Sequence, residues 1–183
     1  MTTVAWTGVE EWLAEVTTVS LRPDGVSAGG TQLGVTPRPY RAHYELDATD
    51  SWLTRRLRVE VPGTGWLELR HDGEGTWGVF TGGDASGCDP AALEGALDCD
   101  LAYSPLTNLM PIRRHDLHVR EGAADFLMAW VSLPDLGVHR SAQHYEHVRP
   151  GVVRFEGEGF TAPLEVDGDG LITFYPELAR RVV

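Results

Sequence analysis

The chain contains no lysine: its 15 basic residues are all arginine, outnumbered by 27 aspartates and glutamates, for a formal net charge of -12. The clustered cations that track phosphates are therefore missing, which argues against nucleic acid as a partner and against docking on anionic lipid surfaces. A lipid held inside a cavity is a separate matter and is not excluded. Cysteine is also scarce. Cys88 and Cys99 stand alone in a C-x10-C spacing that fits neither a zinc ligand set nor a disulfide scaffold, so both are expected as reduced thiols. No stretch is long and charge-free enough to span a bilayer, and the opening "MTTVAWTGVEEWLAEV" has neither a basic leader nor an uninterrupted apolar run. The reading is a cytoplasmic protein without an integral membrane segment. Linkers, low-complexity tracts and internal repeats are missing too, so residues 1–183 read as a single domain, long enough to remove roughly 70% of its unfolded surface from water.

Catalytic signatures are equally absent. There is no G-x-S-x-G elbow, phosphate-binding loop or dinucleotide fingerprint. "HDLH" (115–118) and "HYEH" (144–147) resemble metal-ligand spacings, but on a strand the two histidines of each would face opposite sides. "DGDG" (167–170) lacks the closing ligands of a calcium loop and reads as a hairpin turn. No metal, cofactor or catalytic residue is assigned.

What the sequence does have is turns. "RPDG" (22–25), "PGTG" (62–65), "DGEG" (72–75), "RPG" (149–151) and "DGDG" carry the glycine, proline and aspartate that reverse a chain between antiparallel strands. Between them the apolar period is two, as in Ala42, Tyr44, Leu46 and again in Phe160, Ala162, Leu164, Val166, so the chain reads as mainly β. In "DFLMAWV" (125–131) both alternating sets are apolar, which predicts a strand covered on both faces. The one good helix candidate is "SPLTNLMPIRR" (104–114), with Asn108 as N-cap and Pro111 in the first turn, or with a competing start at Ser104.

That helix ends in Arg113 and Arg114. Strand 52–61 places Arg55 on the same face as Leu53, Leu57, Val59 and Val61, aimed at the core. Buried guanidinium groups need carboxylates, carbonyls or a ligand anion, and Asp98 and Asp100, on one face of "LDCDLAY", are natural partners for Arg113 or Arg114. Three readings follow. The arginines form a structural ion-pair network, or one of them receives an anionic headgroup, or they are solvated surface charges. Of the six tryptophans, Trp77 and Trp130 read as core, while Trp52 and Trp66, at strand starts, could line a rim.

"DLAYSPLTNLMPIRR", "MAWVSLPDLGV", "QHYE", "FTAPLEVDGDGLITFYPEL" and the upstream "YELDATDSWLTRRLRVEV" together resemble the putative glycolipid-binding family over about residues 6–182. The resemblance implies a spiral β-roll, a long antiparallel sheet wound around a single short α-helix, often dimeric, with no established enzymatic activity. The matched positions are Trp52, Arg55, Asp100, Thr107, Asn108, Pro111, Arg113, Arg114, Gln143, Tyr145, Tyr175 and Pro176. The sequence departs from the family at His115-Asp116 and at His144. The expected function is binding of an amphipathic small molecule such as a glycolipid, with Arg55, Arg113, Arg114, Trp52, Asn108 and Tyr145 as ligand-binding candidates. Two alternatives stand beside it: a structural or interaction module that forms a homodimer without a ligand, and a small hydrolase or isomerase using Asp100 with a histidine.

Overall fold

The computed structural model describes residues 1–49 and 51–183. Its strands are β1 (Thr2–Gly8), β2 (Leu13–Arg22), β3 (Gly25–Gly34), β4 (Tyr40–Thr49), β5 (Leu53–Val61), β6 (Gly65–His71), β7 (Trp77–Gly83), β8 (Asp98–Leu101), β9 (Ala123–Val131), β10 (Val138–Arg149), β11 (Val152–Gly157), β12 (Phe160–Val166), β13 (Ile172–Tyr175) and β14 (Ala179–Arg181). They form one 14-stranded sheet in the order β7-β6-β5-β4-β3-β2-β1-β14-β13-β12-β11-β10-β9-β8. Turns and short loops make consecutive strands antiparallel neighbours within β1–β7 and within β9–β14, whereas β7 and β8 end at opposite edges of the sheet and β8, joined to β9 through the helical segment, pairs with it in parallel.

β1 lies in the middle, paired on one side with β2 and on the other with β14 through Trp6–Arg181, Thr7–Arg180 and Gly8–Ala179. From there one wing runs out to β7 and the other to β8. The twist of so long a sheet curls the wings toward each other, and they meet where β8 faces β5. At that seam the Thr54 amide donates to Asp98 Oδ1 at 3.1 Å, and the Cys99 amide donates to Thr54 Oγ1 at 3.1 Å. The outer edge of β8 is thus covered by a side chain rather than by another strand. This is the spiral roll that the resemblance implied.

Period two places the core as expected: Ala42, Tyr44, Leu46 and Ala48 of β4 and Ala162, Leu164 and Val166 of β12 are all buried. In β9, Phe126, Met128, Ala129 and Val131 are buried and Leu127 and Trp130 half-buried, so both faces are covered. The helical segment runs through the hollow of the roll. A 3-10 turn at Pro105–Asn108 continues into the α-helix α1 (Leu109–Arg114), and Leu106, Leu109, Met110 and Ile112 are at most 1% exposed. Leu106, Leu109 and Met110 belong to a larger apolar cluster with Trp6, Leu46 and Leu69, whereas Ile112 belongs to a second with Tyr145, Phe155 and Leu164. Burying each such side chain contributes about 1.5–3 kcal/mol, so the helix joins two cores that the sheet alone would leave facing a gap.

Three local expectations need correction. Asn108 precedes α1, but its side chain makes no cap: it already has helical dihedrals, and its Oδ1 instead accepts from the Tyr145 hydroxyl at 2.9 Å. Arg55 does not share the inward face of β5. A bulge opposite Asp47 and Ala48, where Asp47 pairs with Arg56 but Ala48 with Thr54, makes Arg55 the extra residue and flips the parity, so that Thr54 rather than Leu53 is fully buried. The Arg55 guanidinium lies over Gly73, whose left-handed φ of 92° and missing Cβ leave room for it. Finally, Trp52 is not at a rim. It is 4% exposed, part of the larger core cluster.

Candidate functional site

The two arginines at the end of α1 have different surroundings. Arg114 reaches back to β8, where Nη2 donates to Asp98 Oδ1 at 2.6 Å and to the Trp52 carbonyl at 2.7 Å. Asp98 is wholly buried; burial pushes its carboxyl up, and Arg114 followed by Thr54 pulls it back. Arg113 lies 4.6 Å over the Trp52 ring, and its Nη1 donates to the Asp169 carbonyl at 2.8 Å. Trp52, Arg113 and Arg114 therefore form one packed cluster at the helix end.

Asp100, two residues along β8, pairs with no arginine among the described residues. Its Oδ1 accepts from Thr107 Oγ1 at 2.6 Å and its Oδ2 from Gln143 Nε2 at 2.7 Å. Burial pushes its carboxyl above the ordinary range, and the Thr107 and Gln143 hydrogen bonds only partly offset that. The Gln143 carbonyl in turn lies 3.0 Å from the Tyr145 hydroxyl, whose single hydrogen it shares with Asn108 Oδ1. Tyr145 is 1% exposed, and its phenol is held protonated first by burial and then by the nearby Asp100; the same two causes act on Tyr175. Both tyrosines stay neutral.

This network forms the floor of an open cleft of about 170 Å³. Asp100, Ser104, Asn108, Ser141, Gln143 and Glu158 supply its polar groups, and Tyr103, Trp130, Phe155 and Tyr175 its aromatic walls. No arginine and no histidine lines it. Chemically it offers carboxylate and amide oxygens as acceptors, amide and hydroxyl hydrogens as donors, and ring faces for C–H surfaces. A neutral molecule with several hydroxyl groups suits that combination. An anion does not.

On the far side of the 3-10 turn sits another carboxyl, Glu15 of β2, which is fully buried. It accepts from the Tyr44 hydroxyl at 2.5 Å, Ser104 Oγ at 2.8 Å, Gln32 Nε2 at 3.0 Å and Thr17 Oγ1 at 3.3 Å, with no cation among these partners. Burial raises its pKa and the four donors lower it in part. Ser104 thus borders the cleft while its hydroxyl serves Glu15, so the segment Ser104–Asn108 is held between the half-buried Asp100 and the fully buried Glu15.

Of the six binding candidates read from the sequence, the structure brings only Asn108 into the cleft, with Tyr145 directly behind it. Arg113, Arg114 and Trp52 are gathered at the helix end, and Arg55 lies apart over Gly73. Glu15, Ser141, Gln143 and Trp130 were not among the candidates. A signal existed for two of them: Glu15 and Gln143 occupy inward parity positions, Glu15 between Leu13 and Val19 and Gln143 beside Tyr145, and a polar residue on a core face calls for a reason.

A model of the family described as "Putative glycolipid-binding" matches residues 3–181. Among solved structures, the chain is similar to the crystal structure of a DUF1089 family protein from Pseudomonas aeruginosa, with 27% identity, a TM-score of 0.73 and 92% of each chain covered. No curated protein matches it. Among the described residues, no helix is long and apolar enough to cross a membrane.

Proposed function

The chain belongs to the "Putative glycolipid-binding" family, and from that premise we propose that it binds a neutral amphipathic small molecule whose sugar headgroup enters the cleft at Asp100. The observation that carries this reading is a carboxyl with no cation beside it, fixed by Thr107 and Gln143 and facing an aromatic-walled cleft. Sugar hydroxyls both donate and accept, so they complete hydrogen bonds with an acid and two amides, and a pyranose C–H face packs on rings such as Trp130 or Tyr175. The net charge of -12 and the acidic pair Asp100 and Glu158 favour a neutral headgroup over a phosphorylated one.

Titration with methyl glycosides, followed by calorimetry or by tryptophan fluorescence, tests the reading. Saturable binding is expected, weakened about tenfold or more by Asp100→Asn, which keeps the side-chain shape but removes an acceptor worth about 1.5–3 kcal/mol when charged. Absence of binding across neutral sugars, or an affinity indifferent to Asp100→Asn, would overturn it.

The raised pKa of Asp100 favours a second reading, in which the same carboxyl donates a proton to the leaving oxygen of a glycoside while a water takes its place at the anomeric carbon and releases a proton to solvent. Turnover of methyl glycosides, whose alkoxide leaving group needs that proton, is expected to disappear in Asp100→Asn if this reading holds. A panel without turnover removes it.

A further inference from the structure

We propose that the aliphatic part of the ligand leaves the polar cleft over Tyr103 and lies in the neighbouring apolar groove between the β1–β2 turn and the β3–β4 loop. This rests on the headgroup reading above and deepens it. At about 170 Å³ the cleft is smaller than the roughly 300–1,000 Å³ of ordinary small-molecule sites, so it holds a headgroup and not a whole amphipath. The remainder must lie against another surface.

The adjoining groove, of about 90 Å³, is lined by Trp12, Leu13, Val35, Tyr40, Tyr103 and Leu178, and it shares Tyr103 and Leu178 with the cleft. Those two side chains are therefore a common wall: polar groups lie on one side of it and apolar groups on the other. Trp12 is 60% exposed and Val35 40%, an unusual outlay of apolar surface on so acidic a protein. Tyr103, 37% exposed, is held with a φ of 64°, a left-handed conformation that residues with a Cβ adopt sparingly. The facing turn is fixed as well, since the Val9 and Glu10 amides donate to the Leu178 and Glu177 carbonyls at 3.1 and 3.3 Å. Glu11 and Glu177 edge the groove and disfavour an anionic chain such as a free fatty acid. The occupant that fits both compartments is one uncharged alkyl chain joined to a sugar, with only its first few carbons in contact.

The experiment is a calorimetric series of n-alkyl glucosides and galactosides, methyl to octyl, kept below their micellar concentrations. Affinity is expected to rise by up to about fourfold per added methylene, the equivalent of about 0.8 kcal/mol, and to level off once the groove is filled. Trp12→Ser and Val35→Ser replace exposed side chains, so the fold is retained, which circular dichroism checks. Each is expected to flatten the chain-length dependence while leaving methyl glycoside affinity unchanged, whereas Asp100→Asn weakens every member by the same factor. A slope that survives both groove variants, or bound methyl glycosides with no slope, overturns the groove and leaves the headgroup reading standing. If no member of either series binds, the headgroup reading fails and the groove proposal falls with it.

Discussion

Arg114→Ala is expected to lower the stability of the fold by about 3–5 kcal/mol, because it leaves the Asp98 carboxyl fully buried without its cation, whether it stays charged or takes up a proton. For a chain of this length that corresponds to a melting temperature lower by roughly 6–20 °C. The size of the effect comes from the partner left behind more than from the arginine. The Arg114 side chain is only 12% exposed and the Asp98 side chain 0%, so water cannot replace the lost contact. Arg114 also donates to the Trp52 carbonyl, which secures the backbone just before the β5 bulge. Two further variants separate these causes. Asp98→Asn keeps an oxygen for the Thr54 amide but removes the charge, and combined with Arg114→Met it is expected to recover much of the loss. Urea denaturation measures all three. An unchanged midpoint in Arg114→Ala would mean that the seam between β5 and β8 does not depend on this ion pair.

Glu15→Gln should produce the second large effect, visible as a pH dependence. The folded-state pKa of Glu15 is raised above its ordinary value of 4.5 by burial. Below 4.5 the carboxyl is protonated in folded and unfolded chains alike, and its contribution is fully present. As pH rises from there toward the folded pKa, the unfolded chain releases its proton first, and stability falls by up to about 1.4 kcal/mol per pH unit. Glutamine has no proton to lose. The wild type should therefore gain on the variant as pH is lowered from 8 toward 5. Taking the difference matters, because His71 and His118, whose pKa values burial lowers, act the opposite way: their contribution is present above 6.5 and is lost as pH falls from there through their lower folded-state values. They cancel between the two proteins. The variant amide can be accommodated, since Gln32, which now donates to Glu15 and accepts from Tyr40 at 2.7 Å, can turn over and reverse both bonds. A stability difference that stays constant from pH 5 to 8 would show that Glu15 holds an ordinary pKa.

The sequence made the local part of this architecture legible. Turn residues and period-two alternation locate the strands, the doubly apolar β9 lies where its pattern requires, and the arginine-ended segment is enclosed with Asp98 beside Arg114. The family resemblance added the winding of the sheet, which no alternation can convey. What stayed hidden has two physical causes. One is the bulge in β5: a single extra residue shifts parity, so an arginine read as inward is displaced and a threonine takes its place. The other is distance along the chain. Ser104 meets Glu15 across 89 residues and Gln143 meets Asp100 across 43, and side-chain type alone does not announce such pairings. Both aspartates of β8 looked like partners for arginine. Only geometry separates Asp98, which has one, from Asp100, which two neutral donors hold instead.

The place of β1 at the centre of the sheet has a consequence for biogenesis. Its ladder to β2 needs only a local turn, but its other side is completed by β14, which the ribosome delivers some 170 residues later. Throughout synthesis the nascent meander carries an unpaired inner edge as well as an outer one, and such edges invite association with other chains. Because pairings this remote in sequence form slowly, the final closure of the sheet is the step at which a holding chaperone would have most to protect.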